Sequence, residues 1–397
     1  MNNRVTEIEG IRGVLSVIVI AGHIYYQPLY WFWGCMEVFF CISGFLITRI
    51  LLTNRDRAGF LKVYFTRRII RIWPMYYVGM GFAYAIYRVT DGITDPLLGL
   101  SSVWNPNWYE VAAPFLFLQN LELYFKAPRL HYLMLFDPSW SVAVEEQFYL
   151  IWPFVILFVL RKATVPTRWL FAAGALMLSL LLRTALAQPS ALQVWLLGCR
   201  LDGFILGAVL AYSEVAAVQS RPLVDRCVAI FRWLWIWPCL ALTPYLLKGY
   251  FGIRLPIPHL IAKTFLDPYF NFALLGFSVL GYVVFHGAKN HASPFLRMLN
   301  LRPLQHLGTI SYSTYLLHFP IVVGLSPYLI SAYGLPPIFR AIIGFGLSIA
   351  LAHLTYTYVE AQAMRLKRRF AYVATPNAGD ALCTNQSSVA ESSPAKP

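Results

Sequence analysis

Apolar runs of about 18 residues or more recur from one end of this chain to the other, and each is long enough to cross the hydrocarbon of a bilayer as a helix. A chain built this way has few options. Backbone amides in lipid must be satisfied internally, so the runs have to become helices packed against one another. Charged residues make up 13% of the 397, against about a quarter in an ordinary soluble chain. The expected fold is an all-α polytopic transmembrane bundle of about ten spans, near residues 11–30, 38–52, 72–87, 140–160, 169–187, 191–212, 234–247, 269–285, 307–330 and 339–358.

The net charge of +14 is distributed between those runs and not within a soluble module, which argues for membrane orientation and against nucleic acid. Basic connections fall at 54–71, at Arg161 and Lys162, at Arg221, Arg226 and Arg232, at 289–302 and at 365–369. They alternate with connections poor in Lys and Arg. The positive-inside rule then puts both termini in the cytoplasm and the long segment 91–137 outside. Within that segment FLFLQNLELYF, residues 115–125, is expected to lie as a short helix at the interface. Residues 1–370 read as one membrane domain and 371–397 as a polar, disordered cytoplasmic tail. The six cysteines show no metal-ligand spacing, and no metal site is expected.

Ionisable side chains inside such runs are expensive and mark candidate sites. Arg12 and His23, eleven residues apart, share one helix face about 16 Å apart along the axis. Glu37 lies early in the next run, so all three can face one seam. Arg67, Arg68 and Arg71 sit at an inner boundary, where anchoring to headgroups accounts for them as well as a phosphate would. Glu145 and Glu146 are adjacent carboxylates at the head of a span. Arg200 and Asp202 fit an internal ion pair. A histidine such as His23 or His318 is equally satisfied by a backbone carbonyl, and a chain of His and Glu also suits a proton-coupled transporter.

Several stretches resemble the signatures of the acyltransferase-3 family of integral-membrane O-acyltransferases. They are GIRG with Arg12 and His23, EVFFCISGFLIT, TRRIIRIWPMYY with Arg68, Arg71 and Pro74, and SYSTYLLH with Tyr315 and His318. The most specific is PSWSVAVEEQFY. The resemblance implies transfer of an acyl group, acetyl above all, from cytoplasmic acyl-CoA to a hydroxyl of a cell-surface or exported glycan or lipid-linked sugar, in the bacterial cytoplasmic membrane. It implies no tightly bound cofactor, acetyl-CoA serving as co-substrate. His23 would be general base, Glu37 its orienting partner and Glu145 a further member of the catalytic set. Arg12, Arg68 and Arg71 would contact the donor, and Ser141, Tyr315, His318, Arg200 and Asp202 would line the cavity or the acceptor site. The chain departs from the family in having Glu37 where Asp is usual, and Ala361-Gln362 after Glu360 where Pro is expected. Acylation of a small hydrophobic metabolite such as a macrolide remains an alternative acceptor chemistry.

Overall fold

In a computed structural model, residues 6–25, 30–90, 108–121, 135–185, 196–217, 221–253, 256, 266–287, 293–370 and 372 are described. They form a helical bundle with no strand among them. The first half comprises α1 (Thr6–Ile24), α2 (Cys35–Asn54), α3 (Phe60–Val89), α4 (Trp108–Phe115), α5 (Ser139–Phe154), α6 (Val165–Ala185) and α7 (Leu201–Ala217). Then come α8 (Arg221–Leu234), α9 (Ile236–Phe251), α10 (Pro268–Gly287), α11 (Pro294–Leu299), α12 (Arg302–Thr309), α13 (Ser311–Phe319), α14 (Ser326–Tyr333), α15 (Ile338–Thr355) and α16 (Ala361–Arg368).

Seven helical stretches among the described residues are long and apolar enough to cross a membrane. The chain is therefore a multi-pass membrane protein, and the count of ten is not established. The helices standing where three further spans were expected are less apolar or shorter: α1 carries Glu7, Glu9 and Arg12, α3 carries Lys62 and four arginines, and α7 has 17 residues. Large apolar side chains left outside the packed interior, such as Leu170 and Met177 on α6, Trp237 and Leu240 on α9 and Ile342 on α15, suit a lipid-facing surface.

The most extensive packing is of α2 along α7. It depends on two glycines. A Cβ on Gly207 would collide with the Cys41 carbonyl, and one on Gly44 with the Phe204 carbonyl. Phe204 stacks between Phe40 and Phe148 with centroids 4.7 and 4.2 Å away, joining α2, α7 and α5. Toward the C-terminal ends of α2 and α7 Arg49 pairs with Glu214 at 3.1 Å. The helix after α13 widens to π-type turns over Pro320–Leu325. Proline has no N–H to continue the α ladder, and a wider turn absorbs the mismatch.

The segment after α4 differs from expectation. Residues 116–121 do not lie flat at the interface. They pass between α3 and α5 with Gln119 and Asn120 buried, and polar side chains there need partners. Asn120 and Gln147 exchange amide hydrogen bonds (2.8 and 3.2 Å), Gln147 also donates to the Phe117 carbonyl (3.0 Å), and Gln119 donates to Ser139 O (2.9 Å). Tyr76 and Tyr77 hydroxyls donate to the carbonyls of Pro114 and Phe115. Phe117 takes φ 56° at the reversal, a conformation rare for a bulky residue. The chain is helical again at residues 119–121, while residues 122–125 lie outside the described set, as does the tail beyond Tyr372.

Candidate active site

His23 sits in the last turn of α1 on the wall of a cavity of about 20 Å³, room for one or two water-sized groups. Val19 joins it from α1. Phe32, Trp33 and Met36 close one side, Asp137, Pro138 and Trp140 another, and Tyr315 of α13 a third. The imidazole is held edge-on by Phe32 (4.6 Å) and Phe319 (4.9 Å).

Its hydrogen bonds assign its tautomer. His318 Nδ1 lies 2.8 Å from the Tyr315 carbonyl and 3.2 Å from that of Thr314. A carbonyl only accepts, so that nitrogen carries the proton, and neutral His318 presents a lone pair at Nε2. His23 Nδ1 lies 2.9 Å from the Val19 carbonyl and 3.1 Å from His318 Nε2. It too must be the protonated nitrogen, its N–H shared between two acceptors. His23 Nε2 is therefore the basic atom, and no described residue hydrogen-bonds it. The arrangement can take a proton at Nε2 while a second residue steadies the Nδ1–H, which is the logic of a base and its orienting group.

Glu37 is not that orienting group. It is fully buried and bonded to Arg200, across the tight α2–α7 seam and beside Gly203. The expected Arg200–Asp202 pair does not form either. Adjacent helical positions two apart point in different directions. Asp202 instead pairs with Arg183 of α6 at 2.9 Å, and Arg183 also reaches Asp267 at 3.1 Å. The result is a buried network of Glu37, Arg200, Asp202, Arg183 and Asp267. Arg200 stacks over Tyr269 (4.2 Å) and faces Trp140 (5.4 Å), so this network backs the cavity wall without entering it. Arg183 and Asp267 were not picked out from sequence, although an arginine inside LLLRTALA carries the same intramembrane signal as His23.

Glu145 is likewise absent from the cavity. Its Oε1 accepts from Ser43 and its Oε2 from Tyr149, both at 2.8 Å, tying α5 to α2. Arg12 and Arg68 lie within Coulombic reach of it, and Arg12 and Arg71 within reach of buried Glu360, which accepts from Ser313 at 2.9 Å. Glu360, after which the chain departs from the family pattern, thus belongs to the same cluster. The three arginines have donors to spare. Arg12 makes one 3.4 Å contact with Glu9, Arg68 lies over Tyr149 (5.2 Å) and Tyr64 (5.9 Å), and Arg71 reaches the Met364 sulfur at 3.6 Å. Three guanidiniums with unused N–H groups form an anion-binding arrangement.

Of the remaining residues, Tyr315 lines the cavity and Ser141 stands behind it. Both hydroxyls donate to the Pro138 carbonyl (2.7 and 3.0 Å), and their oxygens lie 2.6 Å apart. Asp137, next to them on the cavity, was not singled out from sequence, although it directly precedes the most specific motif.

The described bundle thus carries a cavity-lining imidazole at one end of α1 and arginines toward the other end. A family model for the acyltransferase domain matches residues 5–357, and the chain belongs to the acyltransferase-3 family. It is 28% identical over 379 residues to the peptidoglycan O-acetyltransferase OatA of Listeria monocytogenes, covering 90% of this chain and 55% of that protein. It is 25% identical over 372 residues to the O-acetyltransferase OatA of Staphylococcus aureus (89% and 56% covered). To the putative peptidoglycan O-acetyltransferase YrhL of Bacillus subtilis it is 27% identical over 383 residues (89% and 54%). The chain thus spans about half the length of these relatives. No solved structure matches it significantly.

Proposed function

We propose that this chain is a membrane O-acetyltransferase that moves an acetyl group from cytoplasmic acetyl-CoA to a hydroxyl of a cell-wall carbohydrate. The observation that carries the reading is the imidazole of His23, whose Nε2 lone pair is set by backbone carbonyls through His318 and which lines a cavity in a chain of this family. The carbohydrate acceptor is taken from the named activities of the relatives, and the bacterial cytoplasmic membrane from the charge asymmetry of the connections and from those relatives.

In the reaction, His23 Nε2 accepts the proton of the acceptor hydroxyl as its oxygen attacks the thioester carbonyl. Nδ1–H stays on the Val19 carbonyl and His318, which stabilise the imidazolium. Collapse of the tetrahedral intermediate breaks the C–S bond, and the imidazolium returns its proton to the coenzyme thiolate. The phosphates bind Arg12, Arg68 and Arg71 at the inner end. Arg12 lies eleven residues before His23 on one helix, a rise of about 16 Å, so the donor's pantetheine arm runs along the seam. Glu145 and Glu360 keep those guanidiniums apart and extended, and Glu37 with Arg200 holds the wall that carries Trp140.

The test is reconstitution. Proteoliposomes are loaded with radiolabelled acetyl-CoA on the side of the arginine cluster and given muramidase-released peptidoglycan fragments on the other. Labelled fragments whose yield falls when Arg68 and Arg71 are replaced by Gln, through a raised donor KM, support the reading. Label that stays on the donor, with fragments instead carried across the membrane, refutes it.

A further inference from the structure

The turn before α5 is built with unusual care for a loop. Ser139 N–H donates to Phe136 O (3.0 Å) and Trp140 N–H to Asp137 O (3.1 Å). The Pro138 carbonyl takes two further hydroxyls, from Tyr315 and Ser141. These bonds hold the turn around Asp137, whose side chain lies on the cavity that His23 lines. There the carboxyl forms no hydrogen bond or ion pair with any described residue, although it is partly buried. A partly buried carboxyl on a cavity wall takes its hydrogen-bond donors from whatever occupies that cavity.

The surroundings say what that is. The cavity of about 20 Å³ has space for one or two hydroxyl-sized groups and none for a sugar ring, so only the edge of an acceptor enters. Trp33 and Trp140 stand on its walls, and indole rings cover the C–H faces of a ligand while polar groups fix its orientation. Among the described residues the one basic side chain on that wall is His23, itself neutral in the tautomer assigned above. Hydroxyl donors fit: a carboxylate accepts two, and a carbohydrate carries several on neighbouring carbons.

We propose that Asp137 is the acceptor-binding carboxylate, receiving a hydrogen bond from a hydroxyl of the carbohydrate next to the one that His23 deprotonates. This rests on the acyl-transfer reading of the same cavity. Asp137 binds and orients; the proton transfer stays with His23. Ser141 and Tyr315 act through Asp137, by clamping the carbonyl of the following residue.

Binding and turnover separate this from the reading beneath it. Purified wild type, Asp137→Asn, Asp137→Glu and His23→Ala are titrated calorimetrically with muramidase-released peptidoglycan fragments and, separately, with acetyl-CoA. Expected are a weakening of fragment binding by at least about tenfold in Asp137→Asn, the range of a hydrogen bond to a charged group, partial recovery in Asp137→Glu, and fragment binding by His23→Ala within twofold of wild type. Acetyl-CoA binding unchanged in Asp137→Asn shows that the bundle is intact. The proposal is overturned if Asp137→Asn binds fragments as wild type does, if wild type does not bind them, or if Asp137→Asn loses donor and fragments together. Weakened fragment binding in Asp137→Asn, alongside full transfer by His23→Ala, would keep the acceptor site and discard the base.

Discussion

Replacing His318 by Phe removes the acceptor that His23 Nδ1–H meets at 3.1 Å and keeps a ring in the space between Tyr315, Phe319 and His23. The neutral base loses little, because the Val19 carbonyl still holds that N–H at 2.9 Å. The imidazolium formed during the reaction loses more. A hydrogen bond to a charged group contributes about 1.5–3 kcal/mol, and each 1.36 kcal/mol is tenfold in rate. The expected fall in kcat is therefore about 10- to 150-fold, with KM for acetyl-CoA unchanged. His318→Gln restores an acceptor near the lost Nε2 and should recover most of that rate. The assay is initial-rate transfer of label from acetyl-CoA to peptidoglycan fragments by purified protein, with thermal unfolding in detergent as the check on folding. A His318→Phe rate within twofold of wild type would refute the relay. So would a His318→Gln variant as slow as His318→Phe while equally stable.

Breaking the buried Glu37–Arg200 pair with Glu37→Gln removes the carboxylate charge facing a buried guanidinium and should cost about 3–5 kcal/mol of stability; the Glu37→Gln/Arg200→Met double variant should recover part of it in thermal melts. If Glu37→Gln instead kept wild-type stability and lost rate, Glu37 would be acting on His23 after all. Adding one methyl at Gly207, where it meets the Cys41 carbonyl, should cost about 1–3 kcal/mol, whereas Gly81→Ala, which meets nothing within 4 Å, should leave the melting temperature unchanged or raise it slightly. Equal effects at the two positions would contradict the α2–α7 packing. Burial pushes the Asp137 carboxyl up to about 7, where it faces His23 of α1 and Tyr315 of α13, with His318 behind. It is ionised above that pH and loses its charge as pH falls through it, so acceptor KM should rise on acidification below about 7 and stay flat in Asp137→Asn. An identical pH dependence in both would place that titration elsewhere.

The fold class followed from hydrophobic run length alone, because lipid leaves helices as the only solution for runs such as 38–52 and 269–285. His23 was also legible, since a titrating ring in an apolar run has few structural reasons to be there. What sequence could not supply was direction around the helix axis. Glu37 lies one short connection from His23, yet its face of α2 points at α7, and nothing local reveals that Gly203 and Gly207 let Arg200 approach it. The tautomer chain through His318 joins residues 295 positions apart, beyond any spacing rule. Asp137 escaped notice for a different reason. An acidic residue beside Pro in an outer connection looks like ordinary turn chemistry until Tyr315 and Ser141 are seen gripping the next carbonyl. Similarly, Gln119 and Asn120 read as interfacial polar residues because their partners, Ser139 and Gln147, belong to another helix.

The most direct test of the account is acetyl transfer by wild type and His23→Ala at matched stability and matched acetyl-CoA binding, with and without added imidazole. A general base contributes about 10²- to 10⁴-fold, so the account predicts a loss of that size in His23→Ala, with partial return when free imidazole enters the vacated wall of the cavity. Transfer by His23→Ala at the wild-type rate would contradict it.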